Sequence, residues 1–373
     1  MTPTWLCPDL LFDGQTLRPG MALCVENGTV QALTRQTDLP AAARRQPVTG
    51  TITPGFLDLQ VNGGGDAFLN TSPTPAGMAT IAAAHRRFGT IGILPTLITD
   101  APEILDLAAT AALQAHGQTG ILGLHIEGPH ISLPRRGTHA ARHIRPLDDR
   151  TLAIVRTLRA AQIAVMITVA PEAVSPGQIA TLVATGAVVS IGHSDTSAGH
   201  VRTCLAEGAT CFTHLFNAMS PMLNRAAGVT GACINSTAYA GLICDGIHVS
   251  DEMVGLAIRA RPQPDTTFLV SDAMPTVGGS DHFTLYGDEI RLVDGRLINA
   301  EGSLAGAHVT MAESVRRLVQ VVGIDPAQAL RMAVTIPARV IGANHLATPQ
   351  GRTLNDLLVL NADWQVTGTC ADL

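Results

Sequence analysis

Ile121-Leu-Gly-Leu-His-Ile-Glu127 is a short apolar run that ends in a carboxylate and leads into Gly-Pro. Three other runs have the same form: 187–193, 209–214 and 267–272, which end in His193, His214 and Asp272. Short runs of this kind are typical of buried parallel strands. In a parallel barrel the C-terminal ends of the strands meet at one mouth. We therefore expect the four terminal side chains to converge.

The same alternation continues through the middle of the chain. Helical stretches at 76–88, 101–115, 148–161 and 251–260 separate several of the apolar runs. The pattern predicts an α/β fold, a (β/α)8 TIM-type barrel rather than an open sheet. The eight candidate strands are 55–61, 91–98, 121–126, 164–170, 187–192, 209–214, 239–244 and 267–271.

The sequence at the two ends of the chain follows a different pattern, which predicts short strands joined by tight turns. Neither end can bury a sheet face alone, so we expect both to join in one small β-sandwich domain. The predicted division is 1–51 and 345–373 for this domain and 52–344 for the barrel. Within the barrel, 275–305 breaks the rhythm and predicts a β-hairpin excursion over the mouth. Helices are expected at 307–322 and 326–333.

Composition excludes several classes of protein. Hydrophobic residues make up 46% of the 373 residues and charged residues 14%, which favours a large core over disorder. The net charge of −6 without a basic run makes nucleic acid and anionic membranes unexpected partners. No apolar stretch is long enough to span a membrane. All 24 cationic side chains are arginine, so Schiff-base, P-loop and carboxylated bridging lysines are excluded.

The seven cysteines include no C-x-x-C pair, and their number is odd. Buried, reduced thiols are the expected state, as in a cytoplasmic protein. The N-terminus lacks the basic region and apolar core of a signal peptide, which also favours a cytoplasmic location.

The four strand-end residues suit metal-dependent hydrolysis. Such a site needs about three protein ligands and an open position for water, which Glu127, His193 and His214 supply. Asp272 is the expected acid/base for proton transfer to the leaving nitrogen. His139, in a loop after the third strand, is expected to polarise a scissile carbonyl. Each residue alone also has a structural explanation as a cap or hydrogen-bonded side chain, but four such strand ends favour a site.

Seven motifs follow one order that resembles the N-acetylglucosamine-6-phosphate deacetylase family of the amidohydrolase superfamily. The resemblance runs from Pro54-Gly-Phe-Leu-Asp58 to Pro337-Ala-Arg339 and extends into both ends. The motifs are His125-Ile-Glu-Gly-Pro-His130, Gly137-Thr-His139, Ala170-Pro-Glu172, Gly192-His-Ser194, Thr213-His-Leu-Phe-Asn-Ala-Met219, Asp245-Gly-Ile-His248 and Ser271-Asp-Ala273.

The resemblance implies a role for each matching position. It implies that Glu127, His193 and His214 bind the metal, that Asp272 is the catalytic acid/base and that His139 contacts the substrate carbonyl. It further implies a sugar-phosphate substrate and a homodimer in which Arg225 reaches the neighbouring subunit's site. The substrate contacts expected on this basis are Gln60, Asn217, Ala218, Arg225, His248 and Leu304.

Two departures from the family pattern bear on the site. Gln60-Val-Asn62 stands where many amidohydrolases have His-x-His, and amides are poor zinc ligands. This predicts one divalent metal per subunit, Zn²⁺ first, with Fe²⁺, Co²⁺ and Mn²⁺ as alternatives. His130 and His308 replace residue types usual in the family and predict a reshaped sugar pocket.

The predicted activity is hydrolysis of N-acetylglucosamine 6-phosphate to glucosamine 6-phosphate and acetate. Three alternatives stay open on the sequence. One is a related amidohydrolase acting on another N-acylated sugar phosphate, such as a galactosamine or mannosamine derivative. Another is an amidohydrolase acting on a cyclic amide, and the third is a non-catalytic barrel that binds a ligand.

Overall fold

The computed structural model describes residues 3–373. Its first strands are β1 (Thr4–Phe12), β2 (Leu17–Pro19), β3 (Met21–Glu26), β4 (Thr29–Arg35), β5 (Arg44–Pro54), β6 (Phe56–Val61), β7 (Gly63–Gly64), β8 (Ala67–Phe68), β9 (Thr90–Ile98), β10 (Gly123–Glu127) and β11 (Ala164–Val169). The later strands are β12 (Val188–Ile191), β13 (Cys211–Phe212), β14 (Tyr239–Leu242), β15 (Thr267–Leu269), β16 (His282–Leu285), β17 (Asp288–Val293), β18 (Arg296–Ile298), β19 (Leu304–Ala307), β20 (Leu357–Leu360) and β21 (Val366–Thr369).

The helices separate the central strands. They are α1 (Pro75–Arg86), α2 (Pro102–Ala115), α3 (Asp149–Ala160), α4 (Gln178–Ala184), α5 (Ala198–Ala206), α6 (Gly228–Ile234), α7 (Asp251–Ala260), α8 (Met311–Arg317), α9 (Pro326–Leu330) and α10 (Ile336–Val340). A π-helical turn, Leu318–Val322, follows α8, and another, Arg331–Thr335, joins α9 to α10. No helix within residues 3–373 has the length and apolar character needed to cross a membrane.

Eight parallel strands form the barrel, which confirms the predicted fold. They lie side by side in chain order, from β6 through β9 to β15. The barrel is brought close to closure by a parallel bridge between Val61 and Ala273 and by the amide of Asp272, which donates to Gln60 O at 3.0 Å. Every residue of β6, β9 and β10 is buried, because the helices cover one face and the barrel interior the other.

Both ends of the chain meet in one sheet, which confirms the prediction of a second β unit. Its strands run in the order β21-β20-β5-β1-β3-β4, and β2 pairs with β1. The pairing is antiparallel except for β1 with β5. A separate apolar core joins the two chain ends, with Leu11 and Ile52 from one and Leu357 from the other fully buried.

The break in the rhythm after the barrel is a four-stranded antiparallel sheet, β16 to β19, here called the mouth sheet (282–307). The hairpin expected over 275–305 is thus part of a larger sheet, with tight turns between β16 and β17 and between β17 and β18. Phe283, Leu285 and Ile290 pack this sheet on Phe68, at the end of β8, and on Met274, which follows β15. Its last strand continues onto the barrel through a bridge between Ala273 and Ala307.

A buried carboxylate lies at the seam where the barrel closes. Asp58, on β6, is fully buried and accepts hydrogen bonds from the amides of Gln60 and Ser271, each at 3.2 Å. Burial raises the pKa of Asp58 from 3.8 to about 7. The folded protein therefore holds this proton more tightly than the unfolded chain does. Between these two values the stability that the group contributes falls as pH rises.

We expect Asp58→Asn to be relatively more stabilising at pH 8 than at pH 5. The amide keeps an acceptor for the two backbone donors and removes the cost of ionising a buried acid. The gain in the free energy of unfolding over wild type should be about 2–3 kcal/mol larger at pH 8 than at pH 5. Urea unfolding with a chelator present measures it, with Asp288→Asn at an exposed position as control. A gain that does not change with pH would contradict this reading.

Candidate active site

The four predicted strand-end residues line a single cavity at the mouth of the barrel. The cavity has a volume of about 520 Å³ and lies between the C-terminal strand ends and the mouth sheet. This size is typical of small-molecule sites. Its polar lining residues are Asn62, Glu127, Arg135, Arg136, Thr138, His139, His193, His214, Asn217, His248, Asp272, Glu301 and Ser303.

Glu127, His193 and His214 point their ligand-type atoms at one another. Glu127 Oε1 lies 3.3 Å from His193 Nε2 and 3.0 Å from His214 Nε2, and the two Nε2 atoms are 3.0 Å apart. A tetrahedral zinc ion with bonds of about 2.0–2.1 Å separates its ligands by about 3.3 Å, which fits this triangle. One carboxylate and two imidazoles also form a donor set suited to a divalent transition metal.

Histidine hydrogen bonds distinguish a metal ligand from a proton donor. His193 Nδ1 lies 2.9 Å from the carbonyl oxygen of Arg135, which can only accept, so the ring carries its proton on Nδ1 and leaves Nε2 free to bind a metal. His139 shows the opposite arrangement, since the amide of Thr99 donates to its Nδ1 at 3.4 Å. Its proton is therefore on Nε2.

His139 also lies close enough to be considered as a ligand. Glu127, His139 and His193 offer ligand atoms that are all within 4.8 Å of one another. The tautomer argues against this assignment, because a protonated Nε2 has no lone pair for a metal. Burial, reinforced by the nearby His193, holds the pKa of His139 well below its usual range. The neutral ring is thus a hydrogen-bond donor rather than a ligand.

The backbone is strained at three of the strand ends. His193, His214 and Asp272 have φ angles of 47°, 30° and 53°, in the left-handed region that residues with a Cβ rarely adopt. Such conformations cost about 1–3 kcal/mol each and are common at functional sites. Here each strand turns sharply at its last residue.

Two amides connect the carboxylates of the site. Gln60 Nε2 donates to Glu127 Oε1 at 2.9 Å and to Asp272 Oδ1 at 3.2 Å. Asn62 Nδ2 donates to the same Asp272 oxygen at 2.7 Å. Gln60 is 1% exposed and lies behind the cavity, whereas Asn62 lines it. The two amides thus hydrogen-bond one oxygen of each carboxylate.

The pKa values of Asp272 and Glu127 are shifted in opposite directions. Burial and the charge of Glu127 raise the pKa of Asp272 from 3.8 to about 6. Burial alone would raise the pKa of Glu127, but hydrogen bonds from His193 and His214 outweigh this effect and hold its pKa well below the usual range. One carboxylate therefore stays ionised while the other can exchange a proton near neutral pH.

Of the six expected substrate contacts, four line the cavity, whereas Gln60 and Arg225 do not. Asn217, Ala218, His248 and Leu304 line the cavity. The Nδ2 of Asn217 is buried and has no hydrogen-bond partner within residues 3–373, which suits a ligand contact. His248 Nδ1 lies 2.6 Å from Asp245 Oδ2, which leaves Nε2 for the cavity. Arg225 is exposed in the loop 221–227 and does not line the cavity of its own chain.

Several site residues were missed in the sequence. Arg136 lines the cavity and forms an ion pair with Glu301 of the mouth sheet, in which its Nη2 lies 3.0 and 2.7 Å from the two carboxylate oxygens. It lies in an irregular loop, where no periodicity marks it. Thr99 could have been found, because it directly follows the buried strand β9, as the predicted site residues follow theirs.

The expectation that His130 and His308 reshape the sugar pocket was wrong. His130 is fully buried, 3.1 Å from the carbonyl oxygen of Arg145 and 2.9 Å from Thr151 Oγ1. His308 contacts Thr276 Oγ1 at 2.9 Å. Neither lines the cavity. His130 lies three residues past the end of β10, and His308 directly follows β19.

Similar proteins were found by sequence and by structure, although no family model matches the chain. An N-acetylgalactosamine-6-phosphate deacetylase of a Shewanella species is 38% identical over 79% of this chain and 75% of its own length. An N-acetylglucosamine-6-phosphate deacetylase of Haemophilus influenzae is 31% identical over 93% of this chain and 92% of its own. The crystal structure of the Pasteurella multocida N-acetylglucosamine-6-phosphate deacetylase superposes with a TM-score of 0.91 at 31% identity, covering 98% and 97% of the two chains. The chain therefore belongs to the N-acetylglucosamine-6-phosphate deacetylase family of the amidohydrolase superfamily.

Proposed function

We propose that this protein is a metal-dependent deacetylase that hydrolyses N-acetylglucosamine 6-phosphate to glucosamine 6-phosphate and acetate. Family membership supports the reaction class. The observation that carries the proposal is the convergence of a carboxylate and two imidazoles beside a second carboxylate with a raised pKa, Asp272. Amide hydrolysis needs these elements in one cavity.

Glu127, His193 and His214 would hold one divalent metal, for which we propose Zn²⁺. When bound, the metal supplies Lewis acidity, which activates water and polarises the acetamide carbonyl. The ligand distances suit a tetrahedral zinc ion, and we propose one site per subunit because the Gln60 and Asn62 amides already hydrogen-bond to the adjacent carboxylate oxygens. Fe²⁺, Co²⁺ and Mn²⁺ suit the same donor set.

The protein's own groups perform the proton transfers. The Nε2–H of His139 donates to the acetamide oxygen and stabilises the charge that develops there. Asp272 accepts a proton from the attacking water and delivers it to the sugar nitrogen as the carbon–nitrogen bond breaks. Asn62 and Gln60 hold one oxygen of Asp272, which leaves the other for the proton.

An assay across sugar phosphates tests this function. Purified protein should release acetate from N-acetylglucosamine 6-phosphate far faster than from N-acetylglucosamine, with one metal ion per chain measured in the same sample. The C4 epimer, N-acetylgalactosamine 6-phosphate, is the second candidate, because the 38% identical relative is named for that substrate. Activity on the galactosamine compound alone would decide for this candidate, and no acetate from either would refute the proposal.

We also propose a homodimer in which Arg225 of one protomer reaches the phosphate in the partner's cavity. Its exposure supports this, as do Met222 and Leu223 in the same loop, which are 44% and 59% exposed and need an apolar cover. A guanidinium fork binds phosphate well, and His248 offers a further donor from within the chain.

Arg225→Ala is expected to raise KM for the sugar phosphate by at least about tenfold, the effect of losing one charge-assisted hydrogen-bond pair. KM for the unphosphorylated sugar should hardly change. Steady-state kinetics with both substrates measure this, and Arg44→Ala, at an exposed position on β5, is the matched control. An equal rise in KM for both substrates would show that Arg225 does not bind the phosphate.

A cytoplasmic location is part of the proposal. All seven cysteines are free thiols, and six of them are buried, as expected in a reducing compartment. The proposed partners are the sugar phosphate and a second copy of the chain.

A further inference from the structure

A single residue, Thr99, makes both hydrogen bonds to Nδ1 of the His139 ring. His139 Nδ1 lies 2.7 Å from Thr99 Oγ1 and 3.4 Å from Thr99 N. A backbone amide can only donate, so Nδ1 must be the acceptor, and the hydroxyl then donates to it as well. Both contacts favour the tautomer with its proton on Nε2, the atom that faces the cavity.

Thr99 is in turn fixed by its surroundings. Its carbonyl oxygen accepts a hydrogen bond of 2.5 Å from the hydroxyl of Tyr286, at the first turn of the mouth sheet. Burial raises the pKa of Tyr286 well above its usual value, so this phenol stays a donor. On the other side Gly128 packs against the hydroxyl, and a Cβ at that position would collide with Thr99 Oγ1. The glycine of the Glu-Gly-Pro motif therefore leaves room for the Thr99 side chain.

The mouth sheet also contacts the loop that carries His139 at two points. Arg136 forms its ion pair with Glu301, and Asn299 Nδ2 donates to Thr138 Oγ1 at 3.3 Å. His139 thus lies in a loop that is tied to the mouth sheet on one side and to Thr99 on the other. Its position does not depend on the loop backbone alone.

We propose that Thr99 is a positioning residue for deacetylation: it fixes the tautomer and the orientation of His139, and Tyr286 of the mouth sheet holds Thr99 in place. The proposal rests on the proposed function, in which Nε2–H of His139 donates to the acetamide oxygen. Without the hydroxyl, the ring keeps only the long contact to the amide. It can then rotate and exchange tautomers, and a fraction of the molecules presents no donor to the substrate.

Kinetics of three threonine variants test this. Thr99→Val preserves shape and removes the hydroxyl, so we expect kcat to fall about 10–100-fold with KM within about threefold of wild type, as for lost orientation of a reacting group. Thr99→Ser should recover most of kcat. Thr90→Val is the matched control, because Thr90 is buried at the start of β9, the strand that Thr99 directly follows, and its hydroxyl has no hydrogen-bond partner within residues 3–373.

Tyr286→Phe should also lower kcat, but by less than Thr99→Val. It removes the hydrogen bond to the Thr99 carbonyl oxygen and leaves the Thr99 hydroxyl in place. Wild-type kcat in Thr99→Val, or an equal loss in Thr99→Ser, would overturn the proposal. So would a loss in Thr90→Val as large as in Thr99→Val, which would indicate a general effect on packing.

Nitrogen NMR of the imidazole rings gives a readout that does not depend on turnover. With ¹⁵N-labelled histidine and the His139 signals assigned through His139→Asn, wild type should show a protonated Nε2 and an unprotonated Nδ1. Thr99→Val should shift both signals towards the average of two tautomers. If the protein releases no acetate but these shifts appear, the proposed function fails and the positioning role stands. If Thr99→Val leaves the signals unchanged, the positioning role fails.

Discussion

Asp272→Asn is expected to lower kcat for acetate release by at least about 10²-fold, because a positioned acid/base contributes roughly 10²–10⁴-fold. The asparagine oxygen can still accept the hydrogen bond that Asn62 donates to Asp272, so the geometry should survive. What is lost is the group that takes a proton from water and returns it to the sugar nitrogen. Steady-state acetate release, with metal content determined on the same sample, measures the effect.

Asp281→Asn is the control for this experiment, because the Asp281 side chain is 72% exposed on the outer side of the mouth. It should behave as wild type. Asp272→Asn with kcat within about threefold of wild type would refute the acid/base role. A variant that has also lost its metal would instead assign Asp272 to metal binding.

His193→Asn is expected to abolish both metal binding and activity. Removing one of three ligands leaves Glu127 and His214 alone, and loss of the metal removes several kcal/mol of stabilisation from the transition state, or at least about 10³-fold in rate. Metal analysis after dialysis and acetate release measure the two losses. A chelator should inactivate the wild type in the same way, and added Zn²⁺ should restore only the wild type.

His282→Asn makes the same chemical change at a surface position, where the histidine side chain is 45% exposed, and should leave metal content and rate intact. Stoichiometric metal together with a wild-type rate in His193→Asn would exclude His193 as a ligand. If His193→Asn keeps its metal but loses activity, His193 has a catalytic role rather than a role in metal binding.

The barrel was predictable because its signal is local. A run such as Phe56–Val61, buried along its whole length, can only be covered on both faces, and the order of such runs with helices between them fixes the topology. The convergence of Glu127, His193, His214 and Asp272 follows from the same argument, since parallel strand ends share one mouth. Their chemical roles remain predictions that the two experiments above test.

The rest of the site depends on features that strand spacing does not encode. The left-handed turns at His193, His214 and Asp272 decide where these side chains point, and periodicity says nothing about them. Arg136 reaches the cavity from an irregular loop and meets Glu301 far along the chain. His130 belongs to the same motif as Glu127 and yet does not line the cavity, because its ring packs against Arg145 and Thr151 instead.

The sheet built from both chain ends has a consequence for synthesis on the ribosome. Strand β5 emerges early, but its antiparallel neighbour β20, in which Leu360 pairs with Thr51, emerges only after the entire barrel has been translated. Until then one edge of β5 is open, and open edges recruit other chains. The pairing is also about as non-local as this chain permits, which slows folding. Nascent chains stalled before β20 should therefore be the species that most need a chaperone.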